Sequence, residues 1–249
     1  MNIVVFDTET TGLEKPYCYN IGYVIIDTES WGVILQREFV VEQIWHNLAL
    51  FNTAYYADKR ELYVKAMRSR KIKLEKFGYI TQQMCRDFQD YEVLGAYAYN
   101  SSFDDRVFSF NCDWFHCINP FDNIPIFDIR GYAHEFLVDD VFKEWADVYG
   151  AYTESGNYST TAETMYRFVS GWLDFEEAHT ALADAFIEMA ILNACVECGA
   201  ELNVGYTAKQ SIPCEREKTL TIKKNGEAIF SANCKGYSVS KKYNTITLR

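Results

Sequence analysis

The sequence lacks the features that would mark a membrane protein, a secreted protein or a repeat protein. No apolar run approaches the roughly 18 residues that cross a bilayer. The amino terminus has no basic region followed by an apolar core and a cleavage site. Internal repeats and low-complexity tracts are also missing. We therefore expect a soluble, cytoplasmic protein that contacts no membrane.

Positive charge is scarce as well, since 24 Lys and Arg stand against 35 Asp and Glu and the formal net charge is −11. This deficit argues against a protein that holds nucleic acid on a broad basic surface. The charge is unevenly spread, because residues 205–249 hold nine Lys or Arg and three Glu, a net of +6, which leaves −17 on residues 1–204. An acidic body with a basic tail fits an enzyme of small footprint that gathers carboxylates around a metal.

The length of 249 residues, with 49% hydrophobic and 16% aromatic content, is that of a globular protein. We expect a main domain over residues 1–204, with a helical insertion at about 44–91, and a basic, β-rich appendage over residues 205–249. In the appendage, Asn225-Gly226 between two strand-like segments predicts a hairpin, and Thr245–Leu248 predicts a final strand.

The eight cysteines are expected to be reduced thiols, mostly small core residues, because no secretion signal accompanies them. The alternative is a four-thiolate zinc site that ties the appendage to the last helix. Its ligands would be Cys195, Cys198, Cys214 and Cys234. The irregular spacing of the later pair disfavours this alternative.

The hydrophobic pattern predicts an α/β domain with a mixed central sheet, helices on both faces and three antiparallel strands at its start. The predicted strands are Ile3–Phe6, Ile21–Asp27, Val33–Val41, Gly95–Tyr99 and Ile124–Ile129. The predicted helices are Arg60–Lys71, Thr81–Phe88, Phe103–Phe110, a helix opened by the capping-box spacing Thr160-x-x-Glu163, and Thr180–Cys198. Basic residues cluster between Lys59 and Lys76; a solvated helix face is expected there, and a wall of a substrate groove is the alternative.

Two acids follow the first strand. Asp7 and Glu9 project from the same face of an extended chain, because side chains alternate along a strand. Paired carboxylates repel each other unless a cation, a shared proton or basic partners compensate. No Lys or Arg lies between Asn2 and Glu14, so a divalent ion held by oxygen ligands is the simplest compensation. A surface turn with solvated acids is the other interpretation.

Two later segments supply further acids. Asp104 falls in the first turn of a helix entered from a buried strand, where the helix dipole favours negative charge. His179 precedes Asp184 by five residues, a separation that would turn the two side chains about 140° apart on one helix. His179 must then belong to the loop before the helix, from which its imidazole can reach over a metal fixed by Asp184.

Together these segments resemble the DEDDh 3'-to-5' exonucleases, which have a ribonuclease-H-like fold and include polymerase proofreading subunits. The segment Asp7–Leu13 is similar to their first motif, Asn100-x-x-Phe103-Asp104 to the second, and His179-x-x-x-x-Asp184 to the third, in the same order. The resemblance covers about residues 1–198. It implies a mixed five-stranded sheet flanked by helices, here followed by the small β appendage.

The resemblance also implies the roles of the motif residues. Two Mg²⁺ ions, for which Mn²⁺ can substitute, are expected on Asp7, Glu9, Asp104 and Asp184, with His179 as the general base. Thr8, Thr10 and Leu13, together with Asn100 and Phe103, are expected to bind the 3'-terminal nucleotide. Carboxylates are the ligands that these hard cations prefer, and two such ions promote phosphodiester hydrolysis.

The expected function is therefore 3'-to-5' exonuclease activity that releases nucleoside 5'-monophosphates from single-stranded DNA or DNA 3' ends, with a polymerase or another replication protein as a candidate partner. An exoribonuclease of the same family is one alternative, and a non-catalytic scaffold that binds nucleic acid or a polymerase is another.

Three positions depart from a clean match: Tyr99 stands where many relatives have His, Asp105 adjoins Asp104, and Asp128 ends a strand. We expect Asp105 to be exposed and Asp128 to cap a helix.

Overall fold

The computed structural model describes residues 1–214 and, beyond them, the backbone of four strands. The chain divides into two compact units. The first comprises Met1–Ala151 and Thr160–Gln210, and the second comprises Tyr152–Ser159 and Ser211–Arg249. The boundary between residues 204 and 205 stays a prediction.

The first unit contains a six-stranded mixed sheet in the order β4-β3-β2-β1-β5-β6. Its strands are β1 (Asn2–Thr10), β2 (Cys18–Asp27), β3 (Gly32–Val41), β4 (Lys73–Glu75), β5 (Val93–Ala98) and β6 (Ile126–Asp128). The first three strands are antiparallel, as predicted. β5 lies parallel to β1, β6 parallel to β5 and β4 parallel to β3. The predicted α/β fold class is confirmed, with β4 as an addition at the sheet edge.

Helices occupy most of the remaining chain in this unit. They are α1 (Glu42–His46), α2 (Leu48–Phe51), α3 (Arg60–Arg68), α4 (Phe77–Asp90), α5 (Ser102–Phe115), α6 (Ile129–Phe136), α7 (Asp140–Tyr149), α8 (Ala162–Ser170) and α9 (Ala181–Glu197). The insertion predicted at 44–91 is thus largely helical, but it also contains β4, whose three residues are too few to show a strand pattern. In the described part of the chain, no helix is both long and apolar enough to span a membrane.

Helices cover the two faces of the sheet. Val4 and Phe6 of β1 and Tyr23 of β2 share a buried cluster with Phe77 of α4 and Phe108 of α5. α9 contacts β1 and β2 as well, and it lies against the opposite face, because Gly22 directs its missing side chain toward the α9 backbone while Tyr23 points the other way. The sheet centre is therefore buried on both sides.

Several predicted boundaries shift. β1 continues into the first motif as far as Thr10, because its pairing with β2 persists at Asp7↔Gly22 and Thr8↔Ile21. The predicted capping box is wrong by one residue, since Thr161 is the N-cap of α8 and its hydroxyl accepts a hydrogen bond from Thr164 N at 3.2 Å. Thr160 instead lies 2.9 Å, hydroxyl to ring nitrogen, from His134 Nε2.

The second unit contains two antiparallel strand pairs. β7 (Lys218–Lys224) pairs with β8 (Glu227–Cys234), and β9 (Tyr237–Ser240) pairs with β10 (Thr245–Leu248). The predicted hairpin strands and final strand are therefore confirmed. The predicted turn Asn225-Gly226 lies outside the described residues, and so does the side chain of Cys234 in the zinc alternative.

Candidate active site

β1 carries the first acids of the site between two neighbouring strands. Asp7 and Glu9 are both half-buried and point to one face, whereas Thr8 between them is buried. The Thr8 hydroxyl donates a 2.6 Å hydrogen bond to Asp104 Oδ1. Asp104 lies in the first turn of α5, directly after β5, and is 3% exposed. Its neighbour Asp105 is exposed, as predicted.

α9 brings Asp184 to the same place. Its docking on β2 requires Gly22, because a Cβ there would lie 2.1 Å from Leu182 N. The buried Asn20 side chain accepts a 2.8 Å hydrogen bond from Ala181 N and so fixes the first turn of α9. Asp184 stands in that first turn.

Glu188 follows Asp184 by one turn of α9 and is 4% exposed. Its carboxylate accepts a 3.0 Å hydrogen bond from Tyr99 N, at the end of β5. Sequence reasoning missed this acid, although residues four apart on a helix share a face and Asp184 lies four residues before it. The spacing was therefore a usable signal.

His179 lies in the loop before α9, as the sequence predicted, with a left-handed φ of 50°. Its Nδ1 is 3.5 Å from Glu177 Oε2. Metal-ligating atoms of Glu9, His179 and Asp184 all lie within 4.8 Å of one another. Glu177 is a second acid that sequence reasoning missed, because it stands in a loop without any motif.

A cavity of about 210 Å³ unites most of these side chains. It is lined by Asp7, Thr8, Glu9, Tyr99, Ala162, Glu177, His179, Asp184 and Glu188. Five carboxylates thus converge with one imidazole. Asp104 is not part of the lining, but its charge is close enough to act on Asp7 and Glu9.

Other predicted substrate residues lie outside this lining. The Thr10 hydroxyl donates to Gly12 O at 3.2 Å, and Leu13 is 72% exposed on the following turn. Asn100 is exposed, and Phe103 is half-buried against the core. Their assignment to substrate binding stays a prediction.

Asp128 caps a helix, as expected, and is not a further acid of the cavity. Its Oδ1 accepts hydrogen bonds from Asn100 N at 2.8 Å and from Arg130 N at 3.0 Å. Asp128 is the N-cap of α6. The cap therefore also fixes the chain between β5 and α5, close to Asp104.

The carboxyl groups of the cavity bind protons more tightly than free acids. Burial, reinforced by neighbouring carboxylates, raises the pKa of Glu9 and of Asp184 to about 8. The same causes raise the pKa of Asp7 and of Glu188 well above the ordinary range. Burial lowers the pKa of His179, and the nearby Lys59 adds to this effect. Lys59 also lowers the pKa of Glu9 and of Asp184, but it offsets only part of the increase caused by burial and neighbouring acids.

These residues fit divalent cations. Asp184 Oδ1 is buried and has no hydrogen-bond partner among the described residues. Carboxylate oxygens are the donors that Mg²⁺ and Mn²⁺ prefer, and a bound cation compensates both the burial and the mutual repulsion of the acids. An unpartnered oxygen beside Glu9 is thus explained by a ligand position.

No family model matches the chain, and no curated protein matches it in sequence. The fold is similar to a solved structure of a 3'-exonuclease recognising a histone mRNA stem-loop, with 13% identity and a TM-score of 0.56 over 93% of this chain and 70% of that one. It is also similar to the nuclease domain of 3'hExo, a DEDDh family member bound to rAMP, with 12% identity and a TM-score of 0.52 over 85% and 97% of the two chains.

E. coli exonuclease I in complex with a dT13 oligonucleotide aligns with 78% of this chain at 15% identity and a TM-score of 0.49. The chain spans 40% of that protein's length. The two solved structures with TM-scores above 0.5 show that the chain has the fold of DEDDh 3'-to-5' exonucleases, which is the ribonuclease-H-like fold. The fold that the resemblance implied is therefore confirmed.

Proposed function

We propose that this chain, which has the DEDDh exonuclease fold, is a metal-dependent 3'-to-5' exonuclease that releases nucleoside 5'-monophosphates. The observation that carries the proposal is the meeting of Glu9, His179 and Asp184 within 4.8 Å. They meet in a cavity that Asp7 also lines. Carboxylates and an imidazole that lie close enough to share one metal ion supply the metal ligands and the general base that phosphodiester hydrolysis requires.

In this proposal, Asp7, Glu9, Asp104 and Asp184 hold two divalent ions, Mg²⁺ or Mn²⁺. When bound, such ions supply a nucleophilic water at neutral pH and offset the charge that develops on the phosphate oxygens. Asp104, whose Oδ1 accepts from the Thr8 hydroxyl, would contribute its carboxylate to this site. Proton transfer and binding of the nucleotide are assigned to other side chains.

His179 is the general base in this proposal. Its Nδ1 faces the Glu177 carboxylate at 3.5 Å, so that carboxylate can fix a proton on Nδ1 and leave Nε2 as the acceptor. The lowered pKa of His179 keeps the imidazole neutral and able to accept a proton at neutral pH. Glu177 is thus assigned an orienting role.

The 3'-terminal nucleotide would lie over the first motif. Leu13 has an exposed side chain that is available to pack on a base. Thr8 lines the cavity, and Thr10 follows it at the end of β1. Asn100 and Phe103 border the start of α5 next to Asp104. We assign these five residues to substrate binding.

DNA 3' ends are the proposed substrate. RNA 3' ends are the second candidate, because one similar structure is of a 3'-exonuclease that recognises a histone mRNA stem-loop and the other is of a nuclease domain bound to rAMP. A polymerase or another replication protein as partner stays a prediction. The cytoplasmic location also stays a prediction, and cell fractionation would test it.

The test is digestion of matched 5'-labelled single-stranded DNA and RNA with Mg²⁺, Mn²⁺ or EDTA. Asp104→Asn is compared with Asp105→Asn, which changes the exposed neighbour in the same helical turn. We expect a ladder that shortens from the 3' end, requires metal, and disappears in Asp104→Asn but persists in Asp105→Asn. Loss of even an outer-shell partner of a metal costs about 10–100-fold, so loss of a ligand should cost at least as much.

Each outcome has a defined meaning. The substrate that is cleaved faster identifies the preferred nucleic acid. Cleavage that survives both EDTA and Asp104→Asn would refute the metal-dependent mechanism. No cleavage of either strand, with tight binding retained, would refute the exonuclease and favour the scaffold.

A further inference from the structure

The imidazole of His179 is stacked on a tyrosine from the helical insertion. The ring centroids of His179 and Tyr56 are 4.2 Å apart, and the planes differ by 14°. Tyr56 stands between α2 and α3 and is half-buried. Parallel stacking at this distance restricts the imidazole to one plane.

Lys59, three residues later, holds the backbone of the same loop. Its Nζ donates a 2.7 Å hydrogen bond to Ala178 O, the carbonyl that directly precedes His179. The ammonium also lies 4.6 Å from the centroid of the Tyr56 ring, a cation–π distance. The two side chains therefore contact each other as well as the loop.

The segment that carries Tyr56 and Lys59 is anchored in the core. Lys59 ends a 3₁₀ turn that leads directly into α3. The buried Tyr63 of α3 donates a 3.0 Å hydrogen bond to Asn20 Oδ1, and the same oxygen accepts from Ala181 N in α9. The anchor thus joins the insertion to the helix that carries Asp184.

The loop requires such support. His179 adopts a φ of 50°, a left-handed conformation that is unfavourable for a residue with a side chain. No helix or strand covers residues 171–180 in the part of the chain that the structure describes. A strained residue in an irregular loop keeps its position only where its surroundings determine it.

We propose that Tyr56 and Lys59 are positioning residues that hold His179 over the acids of the site. The inference rests on the proposed exonuclease function, and it gives the insertion at 44–91 a role in catalysis. Tyr56 fixes the plane of the imidazole, and Lys59 fixes the backbone before it. Neither residue is among those that line the cavity.

The variants are chosen to separate ring stacking from folding. Tyr56→Phe keeps the aromatic face, Tyr56→Ala removes it, and Lys59→Met removes the donor. Tyr79→Ala and Lys65→Met are the matched controls, because both residues are exposed on helices of the insertion. Thermal melting of every variant verifies that it is folded.

We expect Tyr56→Ala to lower kcat about 10–100-fold with KM changed less than threefold, because a misplaced catalytic group costs about that much in rate while substrate binding is unaffected. Lys59→Met should lower kcat about tenfold. Tyr56→Phe and the two control variants should stay within about twofold of the unsubstituted protein.

A second readout does not depend on activity. In the metal-free protein, the Hε1 proton resonance of His179, assigned with His179→Ala, should carry an upfield ring-current shift. The shift should persist in Tyr56→Phe and disappear in Tyr56→Ala. An unchanged resonance in Tyr56→Ala, or a lost shift with unchanged kcat, would overturn the positioning role.

The two proposals fail in different ways. If the unsubstituted protein cleaves neither DNA nor RNA while the ring-current shift is present and lost in Tyr56→Ala, the exonuclease function is refuted, and the positioning role in catalysis is refuted with it although the stack exists. If cleavage is metal-dependent and Tyr56→Ala, folded, retains full kcat, only the positioning role is refuted.

Discussion

The site has two sides that are held in different ways. The acidic wall consists of Asp7, Glu9, Asp104, Asp184 and Glu188, which stand on β1, α5 and α9. The histidine loop, residues 171–180, has no regular structure in the described chain. Arg167 Nε donates to Phe175 O at 2.7 Å, and Glu163 Oε2 accepts from Glu177 N at 3.1 Å. Side chains thus hold the loop, whereas backbone ladders and core packing hold the wall.

This difference matches a division of chemical labour. A wall that keeps several carboxylates together, with Lys59 offsetting only part of their charge, must be rigid, because separation of the acids would relieve their repulsion. A proton acceptor needs only to reach the attacking group, so a loop held by a few side chains is sufficient. Substitutions on the two sides should therefore have separable effects.

The largest separation is expected for Asp184→Asn. Removing this carboxylate should lower the rate of cleavage more than about 100-fold, because a metal ligand is lost. The metal-free protein should nevertheless melt at a higher temperature, because an unpartnered buried oxygen of a repelling acid is replaced by a neutral group. Asp174→Asn, at an exposed position of the histidine loop, is the control and should change neither property.

The rigidity of the wall can be broken by Gly22→Ala. The new Cβ would lie 2.1 Å from Leu182 N and 2.3 Å from Ala181 C, so the α9 backbone must move away from β2. Overpacking costs about 1–3 kcal/mol, and we expect the upper end because backbone cannot rotate aside. Denaturant unfolding measures the loss, and Gly12→Ala, where no atom lies within 4 Å of the new Cβ, is the control. Equal stability of the two variants would contradict the close approach.

The burial of the wall's carboxylates, together with their mutual repulsion, predicts a pH dependence of the metal-free protein. The pKa of Glu9 and of Asp184 is raised to about 8 from 4.5 and 3.8, so folding favours the protonated forms. Stability should be highest below about pH 4 as far as these groups are concerned, and should fall as pH rises toward 8. One pKa unit corresponds to about 1.4 kcal/mol, so we expect the free energy of unfolding to fall by about 2 kcal/mol as pH rises toward 8.

Melting temperatures measured from pH 5 to pH 8, with and without Mg²⁺, check this trend. Mg²⁺ should restore most of the lost stability at pH 8, because it binds the ionised folded state. The slope should be shallower in Asp184→Asn. A metal-free protein that becomes more stable between pH 5 and pH 8 would show that the acids are compensated by another route.

The sequence predicted the wall far better than the supports of the loop. Asp7 and Glu9 follow an apolar strand, and the five-residue separation placed His179 in the loop before the helix of Asp184. Their assignment to one site came from the resemblance to the DEDDh exonucleases. Glu188 was missed because its signal, the four-residue spacing after Asp184, belongs to none of the three motifs. The full length of β1 was also missed. The strand was predicted to end at Phe6, but its pairing with β2 continues through polar residues to Thr10.

The supports of the histidine loop could not be predicted for a different reason. The stacking of Tyr56 on His179 joins residues separated by more than a hundred positions, and no periodicity links them. Lys59 looked like one of many lysines on a solvated face, and only the fold shows that its ammonium reaches Ala178 O. Contacts made by single side chains across the fold leave no pattern in the sequence.

The smallest effect is expected on the other support of the loop, Arg167. Its guanidinium is partly exposed and pairs with Glu163 at 2.7 Å, and such pairs contribute less than about 1 kcal/mol to stability. Arg167→Met should therefore leave the melting temperature almost unchanged but release Phe175 O, so the loop should become more sensitive to protease and kcat should fall about threefold. Arg86→Met, at a solvent-facing position on α4, is the control. The Mg²⁺ concentration for half-maximal activity should not change in Arg167→Met, because no residue of the acidic wall has moved; an increase as large as the fall in kcat would mean that loop and wall act as one unit.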